Sequence, residues 1–279
     1  MRFGGTSMNF GKRVYFAAAT LAGILTATAV SAASCGNSSG GFENWKQQFA
    51  AEAVQNGVKA SVVSQVMANV SYNRATIRAD RGQKSFKLTL DQFMRKRGAA
   101  TIVARGKKYK SANASLFASI ERRFGVPPGP LIAIWGMETA FGGYMGDQHT
   151  LSAVATLAYD CRRTEFFTDQ FYAALKLVER RALALDARGA AHGEIGQTQF
   201  LPKNVLLYGV DGDHNGRLDM VRSKADALNS TANFLVAHGW RAGAGYQPGQ
   251  PNFAAIEGWN AAGVYQKAIA IMGAQIDGR

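Results

Sequence analysis

One glutamate stands alone on an otherwise apolar helical face. Leu131, Ile134, Trp135 and Glu138 fall at i, i+3, i+4 and i+7, the spacing of one side of an α-helix. Pro127-Pro-Gly-Pro130 ahead of them suits a helix start, and Gly142-Gly143 behind them suits a C-cap. A carboxyl at the C-terminal end of such a face loses solvation and meets the negative pole of the helix. Both effects disfavour its charge, and they predict an acid that keeps its proton near neutral pH and can donate it. A glutamate that turns to solvent or pairs with an arginine is the competing reading of this stretch alone.

A two-carboxylate glycosidase needs a second acid across the scissile bond. Asp147, Glu165 and Glu194 are candidates, and their spacing singles out none. Gly193-Glu-Ile-Gly-Gln197-Thr-Gln199-Phe-Leu-Pro202 places two glutamines in a Gly-rich turn. An amide both donates to and accepts from sugar hydroxyls and acetamido groups, although a structural polar loop fits the same residues. Arg162 and Arg163 are adjacent at a helix start, where they would hold substrate carboxylates or pair with Glu165 or Asp169.

Asp211-Gly-Asp213-His-Asn215-Gly-Arg217-Leu-Asp219 opens like a calcium loop. Its ligands would be Asp211, Asp213, Asn215, the main chain of Arg217, and Asp219. The position usually held by the closing bidentate acid is Arg222, so a metal-free Asx-rich turn stands open beside structural calcium. His149, His192, His214 and His238 are scattered and form no HExxH pair.

The elements that must position these groups are helical. Apolar residues make up 47 % of the 279, with 16 Phe and 4 Trp, enough for a packed core. Six prolines and few β-rich runs favour helices over sheet. The periodicity predicts helices over 42–56, 61–70, 89–96, 112–124, 151–159, 164–185, 202–208, 224–238 and 253–275, the last interrupted near Asn260 and Gly263. Residues 72–84 are polar and charged without a clear period. The fold expected is mostly α: one domain over 42–279, with a helical annex at about 42–110 on a core from about 112.

Residues 1–33 read as a secretory signal peptide: Lys12 and Arg13, an apolar run from Val14 to Val30, then Ser31-Ala32-Ala33. The segment 34–41 reads as a flexible Gly/Ser-rich leader. The formal charge is +13; the first 33 residues carry Arg2, Lys12, Arg13 and no acid, so removing these three leaves +10. A basic exported protein is drawn to anionic envelope polymers rather than to nucleic acid. Cys35 and Cys161, an even pair in an oxidising compartment, predict a disulfide. The alternative is a lipoprotein acylated on Cys35, and only that would bring the chain to a membrane.

Taken in order, these segments resemble the lytic murein transglycosylases of the membrane-bound B type, glycoside hydrolase family 103. The resemblance runs from about residue 42 to the end. It is carried by Gly125-Val-Pro-Pro, Ala133-Ile-Trp-Gly-Met-Glu138-Thr-Ala-Phe-Gly142, Leu151 to Tyr159, Arg162-Arg163-Thr-Glu-Phe-Phe, Gly196-Gln-Thr-Gln199-Phe-Leu-Pro202, Asp226-Ala-Leu, His238-Gly-Trp240 and Trp259-Asn260 with Tyr265. It implies a lysozyme-like α-helical core and one catalytic acid. The implied reaction cleaves the β-1,4 bond between N-acetylmuramic acid and N-acetylglucosamine in peptidoglycan and leaves a 1,6-anhydromuramoyl end. Glu138 would be acid and then base, Gln199 and Asn260 would hold saccharide, Arg162 and Arg163 would line the cleft, and Tyr265 would pack its wall. The implied protein is a periplasmic monomer acting on glycan strands and requiring no cofactor, with structural calcium left open. A hydrolysing muramidase on the same scaffold and a non-catalytic peptidoglycan-binding protein are the alternatives.

Overall fold

Thirteen α-helices form among the described residues, 33–82 and 88–279 of a computed structural model. The signal-peptide expectation, apart from Ala33, lies outside the described residues. The helices are α1 (Phe42–Gln55), α2 (Ala60–Asn69), α3 (Arg74–Arg81), α4 (Leu90–Lys96), α5 (Ala99–Ala112), α6 (Ala114–Phe124), α7 (Pro128–Thr139), α8 (Thr150–Tyr159), α9 (Thr164–Glu179), α10 (Pro202–Tyr208), α11 (Lys224–Ala237), α12 (Phe253–Trp259) and α13 (Gly263–Asp277). The two-residue strands β1 (Gln148–His149) and β2 (Arg188–Gly189) pair antiparallel. No described helix is long and apolar enough to cross a membrane.

Helix α3 forms in the stretch where no period is legible. Asn73 caps it, its side chain accepting from the N–H groups of Ala75 and Thr76. The residues it buries are Thr76, Ile77 and Asp80, a face with one apolar member. Burial of a carboxylate there is balanced by salt bridges from Arg162 and Arg163.

Within 42–110 the helices pack against different parts of the protein. Helix α1 lays Phe42, Trp45 and Phe49 against Tyr159 of α8 and Phe171 of α9. Helix α5 instead belongs to the core around α7 and α13. Gly106 sits where any Cβ would meet Ile132 and Ile276 at 2.9 and 2.8 Å. The expected leader is also held in place. Gly36 N–H donates to the Tyr159 carbonyl (2.9 Å), and the Tyr159 hydroxyl donates to the Ser38 carbonyl (2.8 Å). Cys35 and Cys161 form the disulfide, with Cα atoms 5.0 Å apart. A cysteine in that bond has no free thiol.

Helix α7 is buried on every side. Glu138 is its one residue that is not fully buried. Asp277 closes the start of this helix by accepting from Gly129 N–H (2.8 Å). The crossing of α7 and α13 is set by Gly129 and Gly273. A Cβ on Gly129 would lie 2.2 Å from the Gly273 carbonyl oxygen. From that crossing Glu138 lies nine residues along α7 and Tyr265 eight residues back along α13. At 1.5 Å per residue these are about 13 and 12 Å, so the antiparallel pair brings the two side chains level.

Helix α7 ends earlier than the Gly142-Gly143 pair predicts. Ala140 and Phe141 both take left-handed backbone, with φ of 50° and 67°. Left-handed backbone is unfavourable for residues with a Cβ. Here it turns the Phe141 ring into a cluster with Tyr109 and Trp135, beneath the Arg105 guanidinium. Burial of that ring overrides the local preference for glycine.

Candidate active site

Glu138 faces a cavity of about 260 Å³ that Gln199, Phe200, Trp259, Asn260 and Glu194 also line. Tyr265 Oη donates to Glu138 Oε1 at 2.6 Å, and Trp259 Nε1 donates to the same oxygen at 3.1 Å. Burial raises the pKa of this carboxyl above its ordinary value. The two hydrogen bonds and the charge of Arg97 oppose that rise, and the charge of Glu194 adds to it. With both donors on Oε1, the neutral acid carries its proton on Oε2. The Tyr265 hydroxyl is raised well above its ordinary value by burial, then by the charge of Glu138 and the bond to it. It therefore stays protonated and remains a donor.

Asn260 and Gln199 are each fixed by their own backbone surroundings. Asn260 follows α12 in extended backbone, where its Oδ1 accepts from Ala262 N–H (2.9 Å) and its carbonyl accepts from Gln266 Nε2 (2.7 Å). Gln199 sits in left-handed backbone, φ 54°, in the turn closed by the Ile195–Phe200 bridge. Its Nε2 donates to the carbonyls of Gly196 (2.9 Å) and Met145 (3.3 Å). Strained backbone held in this way is a feature of functional turns. Thr139 couples the turn to the acid's helix: its Oγ1 donates to the Gln197 carbonyl at 2.6 Å.

The structure thus brings together Glu138, Gln199, Asn260 and Tyr265. Tyr265 does more than pack a wall, since it touches the acid. Trp259 and Arg97 were missed by sequence reasoning as partners of the acid. Arg97 lies between α4 and α5, with its guanidinium 5.7 Å from the Tyr265 ring centroid. No local signal marks it, because its neighbour is 168 residues away.

Arg162 and Arg163 are placed elsewhere. Both grip the buried carboxylate of Asp80, and Arg163 also lies over the rings of Phe166 and Phe167. Neither lines the cavity of Glu138. A buried carboxylate holds arginines more firmly than an open cleft does. The arginines beside the site are different ones. A groove of about 640 Å³ starts at the Gly142–Gly146 turn and is lined by Arg181, Arg188, Arg217 and Arg222.

The calcium-loop prediction needs one exchange. Asp211 and Asp213 lie together with Asp226, one oxygen of each within 4.8 Å of the others. Asp219 is not one of the three; its Oδ1 accepts from the N–H groups of Val221 and Arg222, and its own N–H donates to Asp226 Oδ2. Asp226, in the first turn of α11, was missed because it lies beyond the length of the standard loop.

Residues 41–248, most of the chain, match the family described as the transglycosylase SLT domain. The chain belongs to the transglycosylase SLT family. The membrane-bound lytic murein transglycosylase B of Escherichia coli (strain K12) is 34 % identical over 138 residues, 46 % of this chain and 38 % of that protein. The match therefore spans well under half of that relative. SltB3 of Pseudomonas aeruginosa, solved in complex with NAG-anhNAM-pentapeptide, superposes with a TM-score of 0.79 at 27 % identity. That alignment covers 85 % of this chain and 80 % of that one. Escherichia coli Slt35, solved in complex with calcium, shares the fold with a TM-score of 0.74 at 22 % identity, over 88 % and 96 % of the two chains. The fold is the lysozyme-like, mostly α-helical one that the sequence implies.

Proposed function

We propose that this chain is a peptidoglycan lytic transglycosylase. It cleaves the β-1,4 bond between N-acetylmuramic acid and N-acetylglucosamine and leaves a 1,6-anhydromuramoyl end. The observation that carries the reading is Glu138, its carboxyl raised above the ordinary value by burial and fixed by Tyr265 and Trp259 in a cavity lined by amides. Glu138 donates its proton to the glycosidic oxygen as that bond breaks. The carboxylate so formed takes the proton of the C6 hydroxyl as that oxygen bonds to the anomeric carbon. The acid is regenerated and no water is consumed. Tyr265 and Trp259 steady Oε1 through both steps, and their bonds favour the carboxylate form between them. Gln199 and Asn260 present amides to the sugar's hydroxyl and acetamido groups. The groove lined by Arg181, Arg188, Arg217 and Arg222 suits the carboxylates of stem peptides.

The protein acts as a monomer in the periplasm after export, where the Cys35–Cys161 bond is stable. Asp211, Asp213 and Asp226 supply oxygen donors for a structural divalent cation. Three carboxylates this close, with Asp226 fully buried, repel one another unless a cation sits between them.

The test compares wild type with Glu138→Gln on purified sacculi. Wild type releases soluble muropeptides. The variant keeps its fold and loses release by a factor of at least about 10³, as removal of the sole proton donor requires. Release by the variant at the wild-type rate would overturn the assignment. Binding to sacculi without release by either protein would make the chain a binding module.

A further inference from the structure

Of the three acids that sequence spacing left equal, one reaches the cavity. Glu194 lines it together with Glu138, Gln199 and Asn260. Asp147 does not; its Oδ1 accepts from Gln148 Nε2 and its carbonyl accepts from Arg188. Glu165 lies exposed in the first turn of α9.

Glu194 is held as an oriented group. Its Oε2 accepts from the backbone N–H of His192 at 2.9 Å, and its Oε1 lies 3.1 Å from His192 Nδ1. The other ring nitrogen of His192 lies 3.9 Å from Asp80 Oδ1. Asp80 in turn is gripped by Arg162 and Arg163. A chain of polar contacts therefore runs from two arginines, through a buried carboxylate and an imidazole, to a carboxylate on the cavity wall. The turn carrying Glu194 is equally fixed. Its carbonyl accepts from Ala190 N–H, and Gly189 packs so closely that a Cβ there would lie 2.0 Å from that carbonyl oxygen.

We propose that Glu194 is a second carboxylate of this site, an anion lining the same cavity as Glu138 that stabilises the positive charge developing on the reacting sugar. The inference rests on the transglycosylase reading above and deepens it. The electrostatics agree with the geometry. Burial raises the Glu194 carboxyl, but the hydrogen bonds and charge of His192 and the backbone N–H donors outweigh it, so the net shift is downward. Glu138 is shifted upward, in part by the charge of Glu194. Two carboxylates whose surroundings push them apart in this way divide into a proton donor and a standing anion. The groups acting on Glu138 include Tyr265, Trp259, Arg97 and Glu194; those acting on Glu194 include His192 and the backbone N–H donors of residues 192 and 194. Arg162 and Arg163 become the rear support of this anion rather than part of the cleft wall. The second carboxylate need not attack the sugar or activate water, so it is compatible with an anhydro product.

The test uses the mature chain and its Glu194→Gln and Glu194→Asp variants, with turnover of sacculi followed across pH and Tm measured alongside. Glu194→Gln keeps shape and an acceptor but removes the charge. Its kcat is expected to fall about 10²-fold, the scale of removing one preorganised electrostatic group. The basic limb of its pH profile, set by Glu138, moves to lower pH because a like charge is gone. Glu194→Asp recovers part of kcat. A kcat within about twofold of wild type with an unmoved limb overturns the proposal. So does a fall in kcat that leaves the limb in place and is not recovered by Asp, since that marks a structural role. Wild type without turnover would instead refute the transglycosylase reading itself.

Discussion

Replacing Tyr265 by Phe removes one atom from the site. The Tyr265 side chain is buried, and a Phe ring fills the same space, so the loss is the 2.6 Å bond to Glu138 Oε1. Trp259, at 3.1 Å, remains on that oxygen. A hydrogen bond to an ionised partner contributes about 1.5–3 kcal/mol. It favours the carboxylate, so losing it makes Glu138 a weaker acid. At 1.36 kcal/mol per unit, the basic limb of the kcat/KM profile should move up by about one pH unit or more. On the plateau below that limb the variant retains its proton donor, so kcat falls by about tenfold rather than by the loss expected of Glu138→Gln. The assay is release of soluble muropeptides from sacculi between about pH 5 and 9, the span that brackets a raised carboxyl. A limb that stays in place or moves down would mean that Tyr265 does not hold the acid's charged form, and the reasoning would fail.

Glu138→Gln should raise Tm at neutral pH. The folded pKa of Glu138 lies above its unfolded value, so its contribution to stability is complete at low pH and declines as pH rises through the folded value. The advantage of Gln is therefore present at about pH 8 and absent at about pH 4, as thermal melts at the two values would show. Cys35→Ser opens a loop of sequence separation 126, and the loss of about 3–5 kcal/mol should lower Tm by about 10 °C. Gly129→Ala places a Cβ 2.2 Å from the Gly273 carbonyl oxygen and should destabilise by about 1–3 kcal/mol, read by urea denaturation. Calcium at 100 times its Kd should add about 2.7 kcal/mol to stability. Asp213→Asn, at an exposed position, should abolish that gain while changing the metal-free Tm little. A calcium response that survives in Asp213→Asn would remove the proposed cation site.

The acid's helix was legible because its information is local. A run of apolar residues between a Pro-rich start and a single Glu specifies both the element and the perturbed group. Helix α10 coincides with its predicted span, 202–208, because Pro202 fixes its start. What was not legible depends on contacts made in the folded chain. The contact of Arg162 and Arg163 with Asp80 was not legible, because Asp80 lies on a helix with no apolar period. Asp219 looked like a ligand because it occupies a standard loop position, whereas Asp226 reaches the same point from the next helix. Glu194 could not be separated from Asp147 and Glu165 until the fold showed it lining the cavity of Glu138. The end of α7 was misplaced because burial of the Phe141 ring, a tertiary effect, outweighs the preference of left-handed backbone for glycine.

The most direct measurement of the central claim is mass spectrometry of the soluble products released when the mature protein digests sacculi. Single-acid chemistry at Glu138 predicts muropeptides lighter by one water, with no reducing end. Reducing muropeptides would contradict it, showing that water rather than the C6 hydroxyl attacks the sugar in this site.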